Sequence, residues 1–255
     1  MSFFALTIAG SDCSGGAGIQ ADLKTFCKMG VYGMSAVTSV VVENAARVKR
    51  IFPLTPDLVS DQIQLCFETA ELEYVKTGML PSRGIVEAVV QEVSTRKVKA
   101  VVDPVMVASV GTRLISEQAI LTMKKLLLPL CFVMTPNLNE AAFLLGCGQI
   151  HESLLTDYAT KLADMFGCAV FLKGGHLPGK VAKDVLVFEQ GRETYESEKV
   201  LGVNTHGTGC TLSAALTAAL ARGENLPAAC ASAKNFVTEA LRRSVQTKIA
   251  KVLHH

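Results

Sequence analysis

The sequence predicts an α/β domain with a mostly parallel central sheet, helices on both faces and a small flap. Three observations predict it. Short runs of Val, Ile and Leu alternate with longer amphipathic stretches along the 255 residues. The short runs are almost continuously apolar, as strands covered on both faces are. The chain is 49% hydrophobic with a net charge of +2, enough apolar material for one large core.

The elements follow in order. FFALTIA at 3–9 reads as a first buried strand; no basic residues precede it, as a signal peptide would require. A glycine-rich turn leads to a helix at 18–28. AVTSVVV at 36–42 is the second strand. NAARVKRIFPL after it has an alternating face, predicting a short strand that leaves the main sheet as a flap or dimer contact. A helix is expected at 55–71, a strand at 74–77 (YVKT), a helix at 84–95 and a strand at 100–103 (AVVD). A helix at 116–127, a strand at 132–135 (FVMT) and a helix at 155–166 come next. Strands at 169–172 (AVFL) and 184–188 (DVLVF) precede helices at 208–221 and 227–244.

Composition excludes several functions. No basic excess suggests nucleic acid, and no charge run suggests a tail. No apolar run approaches the roughly 18–20 residues of a membrane span. The eight cysteines (13, 27, 66, 131, 147, 168, 210, 230) contain no C-x-x-C pair, which argues against zinc and redox motifs. Most of them read as small buried thiols, and the set suits a reducing, cytoplasmic compartment. His254 and His255 fit either a native end or a tag and are left out of the reading.

In open α/β sheets, ligands bind beyond the carboxyl ends of the strands. There stand Gly10-Ser11-Asp12, Glu43-Asn44, Gly78-Met79, Asp103-Pro104, Asn137 with Glu140, and Lys173-Gly174-Gly175. Any one of these is compatible with a turn or a cap. Together they predict a binding rim.

AGSDCSGGAGIQAD, from Ala9, has the glycines of a phosphate loop. It fails the P-loop pattern at Gly16, where lysine should stand. Gly16 to Ala21 matches a dinucleotide fingerprint, but Gly10 to Gly15 separate it from the strand, so the turn is not tight. Gly15, Gly16 and Gly18 equally suit close packing at a helix start. Asp22, one turn into that helix, would point back to the rim and accept hydrogen bonds from a neutral substrate.

Phosphate fits better at NTHGTGCTLSAALTAALARG. Gly207 and Gly209 would turn N–H groups inward, and the following helix adds its N-terminal partial charge. Such a nest suits the charge spread over a phosphoryl group in transfer. Cys210 lies in the first turn, where the dipole lowers a thiol pKa. That makes it a candidate general base; the plain alternative is a glycine turn and a buried thiol.

Six stretches carry a resemblance: AGSDCSGGAGIQADLKTF, KTGML, VDPVMV, TPNLNEA, LKGGH and NTHGTGCTLSAAL. In this order they resemble the hydroxymethylpyrimidine/phosphomethylpyrimidine kinases, a thiamine-pathway family of the ribokinase-like superfamily. ATP-dependent pyridoxal kinases share most of these motifs. The resemblance implies a single ribokinase-like three-layer domain over 1–255, ATP and Mg²⁺ as cofactors, a small pyrimidine substrate and a homodimer. It implies an anion hole at Gly207, Thr208 and Gly209, with Cys210 as the catalytic base. Asn137 and Glu140 would place Mg²⁺ and the ATP phosphates, and Asp103 would support the metal through water. Lys173 and Thr205 would approach the nucleotide. Gly10, Asp22, Met79 and Val107 would line the pyrimidine pocket, with Glu43 against the ring edge.

Four departures stand out. Glutamine is expected where Glu43 stands. An amide accepts and donates, whereas an ionised carboxylate only accepts, so Glu43 predicts pH-dependent binding. Ser109 stands where the family often has lysine, which predicts a different lid closure. Ala108 stands where dual pyridoxal kinases carry a cysteine, which leans the substrate towards the pyrimidine. The C-terminal glycine/proline/histidine segment of many relatives is missing after Ser244. Other readings are a pyridoxal/pyridoxine kinase, a non-catalytic vitamin-binding module and a dinucleotide oxidoreductase.

Overall fold

The computed structural model describes residues 2–108, 110–148, 151–175 and 179–255. Ser109 and His176, the last residue of LKGGH, lie outside the described residues. Nine strands form one sheet in the order β3-β2-β1-β4-β5-β6-β7-β8-β9. Its parallel centre is β1 (Phe3–Asp12), β2 (Val31–Asn44), β4 (Tyr74–Thr77), β5 (Lys99–Val102), β6 (Val133–Met134) and β7 (Ala169–Lys173). Antiparallel strands finish both edges: β3 (Arg47–Pro53) on one, β8 (Val181–Phe188) and β9 (Gly191–Glu198) on the other.

β1 shows how the layers form. Its side chains alternate between faces. Leu6 and Ile8 join the core under α2 (Pro56–Thr69), α3 (Arg83–Arg96), α4 (Glu117–Thr122), α5 (Leu138–Leu145) and α6 (Leu155–Phe166). Ala5 faces Phe26 of α1 (Gly18–Lys28) and Ala214 and Ala218 of α7 (Thr208–Ala221). α7 packs on α8 (Leu226–Arg242) through Leu216, Leu220, Ala229 and Ala233. Every residue from Thr211 to Leu220 is buried. A helix apolar all round belongs inside, and its small side chains let α7 run close under the sheet, bringing its N-terminus to the rim.

From β1 the chain moves to β2 on one side and later to β4 on the other. That is the switch point where open α/β sheets bind ligands. The segment expected to leave the sheet is β3, which instead stays hydrogen-bonded to β2, from Ser39↔Pro53 to Asn44↔Arg47. β1 stops pairing with β2 at Val41. The flap is therefore the tip of the sheet's own edge hairpin.

One other expectation changes. The helix expected at 116–127 is α-helical only over Glu117–Thr122, then widens to a π turn at Met123–Leu127 and tightens at Leu128–Leu130. Pro129 has no N–H to continue an α-helical ladder. The last residues, left out of the sequence reading, pack against the domain. β10 (Val245–Gln246) and β11 (Lys251–Val252) pair, Leu253 is buried, and His255 Nε2 lies 2.9 Å from Thr211 Oγ1 of α7.

Candidate active site

A cavity of about 1110 Å³ runs along the carboxyl ends of the strands. Ligand pockets are ~300–1,000 Å³, so this one has room for two small molecules. Gly10, Glu43, Met79 and Val107 line it on the β1–β2 side. Asp103, Asn137, Glu140, Lys173, Thr205, Gly207, Thr208, Gly209 and Cys210 line it further along. Every predicted site residue except Asp22 faces this one space.

Gly10 is placed by sterics. A Cβ there would lie 2.7 Å from Ser39 Oγ and 3.3 Å from Met79 Sδ, so any side chain would push these two aside. Thr38 Oγ1 donates to Met79 O at 2.7 Å and fixes the neighbouring wall. Val107 is 49% exposed and bridges to Arg113 across its loop.

Asp22 corrects the sequence reading. It is fully buried and lies outside the cavity lining. One carboxylate oxygen accepts from Lys76 Nζ at 2.7 Å and Thr7 Oγ1 at 2.6 Å. Asp22 thus acts behind the wall. Burial works against the charge on Lys76, but Asp22 overrides it and holds the ammonium charged. Lys76 itself lines the cavity, a residue that lay inside the quoted KTGML without being singled out.

The first turn of α7 is open on the cavity side. Gly207, its N-cap, has φ +83°, and a Cβ there would lie 1.8 Å from Gly16 O. Thr211 N bonds to Gly207 O, while Thr208 N turns back to Thr205 O. The N–H groups of Gly209 and Cys210 lie in the turn that a helix cannot satisfy internally. Of the three residues expected to form the anion hole, Thr208 has its N–H turned to Thr205 O, while Gly209 shares the open turn with Cys210. At Gly209, a Cβ would stand 3.2 Å from Lys173 Nζ and 3.4 Å from Asp103 Oδ2, which ties this turn to the charged groups opposite.

Cys210 departs from expectation. Burial pushes its thiol up to about 12; Lys76 opposes this, while Asp22 and Asp103 add to it. Desolvation outweighs the helix dipole and favours the thiol over the thiolate.

The charged centre spans β5, β7 and α5. Lys173 Nζ donates to Asp103 Oδ1 at 2.9 Å. Asn137 and Glu140 form a reciprocal capping box, Glu140 N to Asn137 Oδ1 at 2.9 Å and Asn137 N to Glu140 Oε2 at 2.8 Å. Burial pushes Glu140 up to about 7, opposed by Lys173 and reinforced by Asp103. Two carboxylates beside one cavity with a single lysine between them fit a divalent cation, whose charge would relieve their repulsion.

The β1–β2 side holds a second cluster. Asp12 Oδ2 accepts from Ala17 N at 2.8 Å and Gly16 N at 3.0 Å, and meets His206 Nε2 at 2.9 Å. Burial works to raise Asp12, yet hydrogen bonds from His206, Ser14 and Ala17 bring it down to about 2. Glu43 goes the other way. Burial and the Asp12 charge push it up to about 7, against the pull of His206. Asn44 is a turn former: its Oδ1 accepts from Ala46 N and Arg47 N.

Known proteins match this chain along most of its length. The family model described as phosphomethylpyrimidine kinase covers residues 12–253. The chain belongs to that family. It is 41% identical over 244 residues to the hydroxymethylpyrimidine/phosphomethylpyrimidine kinase of Escherichia coli (strain K12), across 94% of this chain and 91% of that one. The Bacillus subtilis (strain 168) enzyme of the same description is 39% identical over 247 residues, across 94% and 90%. Among solved structures, the ADP complex of Bacillus subtilis pyridoxal kinase has a TM-score of 0.90 at 36% identity, covering 100% of this chain and 98% of that chain. Phosphomethylpyrimidine kinase from Clostridium difficile 630 has a TM-score of 0.83 at 36% identity, covering 94% and 100%. The ribokinase-like kinase fold stands, and a dinucleotide oxidoreductase does not.

Proposed function

We propose that this chain is an ATP- and Mg²⁺-dependent kinase. Its substrate is the CH₂OH of 4-amino-5-hydroxymethyl-2-methylpyrimidine, and then the monophosphate so formed, for thiamine biosynthesis or salvage. One observation carries the reading: the open first turn of α7 shares a cavity with Asp103, Glu140 and Lys173.

Kinases of this kind align groups and balance charge. The pyrimidine would lie among Gly10, Met79, Val107 and Glu43. The Gly209 and Cys210 N–H groups would receive the transferring phosphoryl oxygens. Asn137, Lys173 and Thr205 would hold the nucleotide. Asp103 and Glu140 would hold Mg²⁺, which when bound neutralises phosphate charge. Cys210 would take the hydroxyl proton as a thiolate, the form that the Lys76 ammonium favours.

A pyridoxal kinase is the second reading, favoured by the 0.90 TM-score to the Bacillus subtilis pyridoxal kinase. A coupled ATP assay with both alcohols separates them. A higher kcat/KM for the pyrimidine is expected, and a higher value for pyridoxal would reverse the assignment. If the pyrimidine binds but no ADP is released with either alcohol, a vitamin-binding module would be the better reading. We also assign the homodimer contact to the β2–β3 edge. Phe52 is 62% exposed there, beside exposed Val40 and Val42. No helix among the described residues is long and apolar enough to cross a membrane.

A further inference from the structure

We propose that His206 is a positioning residue that joins the substrate wall to the phosphate loop and sets the proton that Glu43 shares with the substrate ring. The inference rests on the kinase reading and deepens its substrate end.

The geometry is a three-way junction. Asp12 ends β1, Glu43 lies near the end of β2, and His206 precedes α7, 194 residues along the chain from Asp12. His206 and Asp12 are both buried. Asp12 gathers the whole opening turn: Oδ1 accepts from Ser14 N at 2.7 Å, and Oδ2 accepts from Ser14 Oγ, Gly16 N and Ala17 N. His206 packs on that turn, because a Cβ at Gly16 would lie 2.9 Å from His206 Cδ2. The next residue, Gly207, touches Gly16 O and starts α7. One imidazole therefore connects the loop against the substrate to the loop against the phosphate. The opening glycines serve this contact.

Ligand atoms of Asp12, Glu43 and His206 all lie within 4.8 Å of one another, a span that a metal ion would also suit. The hydrogen bonds argue for a proton instead. Asp12 Oδ2 already meets three protein donors and the imidazole, leaving it little capacity for a cation. Among the described residues, the ionisable groups that act on Glu43 are Asp12 from β1 and His206 from the loop before α7. Cys13 Sγ reaches only the Glu43 backbone carbonyl, at 3.3 Å. Lys24 binds Gly15 O at 2.7 Å in the same turn. Burial works against the charge on His206, but Asp12 favours its charged form and raises it from its ordinary value. The imidazolium in turn limits how far Glu43 is raised.

A neutral carboxyl accepts through C=O and donates through O–H, which matches the amino group and adjacent ring nitrogen of a 4-aminopyrimidine. An ionised Glu43 matches the same edge only when the ring carries the proton. Either way the complex holds one proton between them, and His206 tunes its release.

The test is isothermal titration of the hydroxymethylpyrimidine into the full chain from pH 5 to 9, without nucleotide. Wild type is compared with His206→Ala and His206→Gln. The glutamine keeps an N–H for Asp12 and removes the charge. The alanine variant should lose about tenfold or more in affinity at every pH. The glutamine variant should recover to within about threefold at pH 6, with its alkaline fall displaced upward by roughly half to one pH unit. Unchanged affinity in both variants would overturn the proposal, as would equal losses with an unmoved alkaline limb, the mark of a purely structural role. Zinc chloride alone should show no stoichiometric binding; one tight site, lost in His206→Gln, would replace the proton with a metal. If wild type binds no pyrimidine at all, the kinase reading fails with it.

Discussion

Glu43→Gln removes a titrating carboxyl and keeps the shape of the side chain. In the wild type, burial and the Asp12 charge raise Glu43 to about 7. Its folded value is raised, so proton loss, and the loss of donor capacity, comes as pH rises. If pyrimidine binding needs that proton, affinity should fall about tenfold per pH unit above the midpoint, near 1.4 kcal/mol each. Roughly tenfold is expected at pH 8 and up to about a hundredfold at pH 9. Glu43→Gln should bind evenly across pH 7–9, because an amide donates and accepts without titrating. Isothermal titration reads both curves directly. Equal affinity across pH 5–9 in wild type and Glu43→Gln alike would refute the reasoning.

Other expectations follow from the same wall and turn. Asp22→Ala leaves Lys76 as an uncompensated buried charge, costing about 3–5 kcal/mol. The melting temperature should drop by roughly 6–20 °C, whereas a surface-like role for Asp22 would leave it unmoved. Cys210→Ala should abolish most phosphoryl transfer while pyrimidine binding stays largely intact; near-normal turnover would remove the thiol as base. Because burial raises that thiol, wild-type kcat should climb with pH between 7 and 9, opposite in direction to binding. Gly207→Ala places a Cβ against Gly16 O at a positive φ, so kcat should fall about a hundredfold or more as the phosphate loop shifts. If the proposed homodimer forms on the β2–β3 edge, light scattering should find a dimer for the wild type and a monomer for Phe52→Glu; a dimer in both would move the contact elsewhere.

Much of this architecture is legible in the sequence because apolar runs and glycines report local physics. The parallel strands announce themselves as continuous Val, Ile and Leu. β9 does not, because GRETYESE is a solvated edge strand with little apolar patterning. α5 is only eight residues, too short for periodicity, although its capping pair Asn137 and Glu140 was visible as a rim. The rim itself was readable because strand ends converge. What lies behind the rim was not. Asp22 looked like a substrate ligand because one helical turn points it towards β1, and nothing in the spacing shows that Lys76 arrives there first. The thiol of Cys210 misled for a similar reason: the helix dipole is visible in sequence, and desolvation is not. Asp12 with His206 is a contact across 194 positions, beyond the reach of local pattern.

The most direct test of the central claim is a crystal structure with the hydroxymethylpyrimidine, Mg²⁺ and a non-hydrolysable ATP analogue. The account predicts the γ-phosphate on the Gly209 and Cys210 N–H groups, the substrate hydroxyl about 3–3.5 Å from its phosphorus, and the ring edge on Glu43. A γ-phosphate seated on the opening glycines at 15–18, or a ring turned away from Glu43, would contradict it.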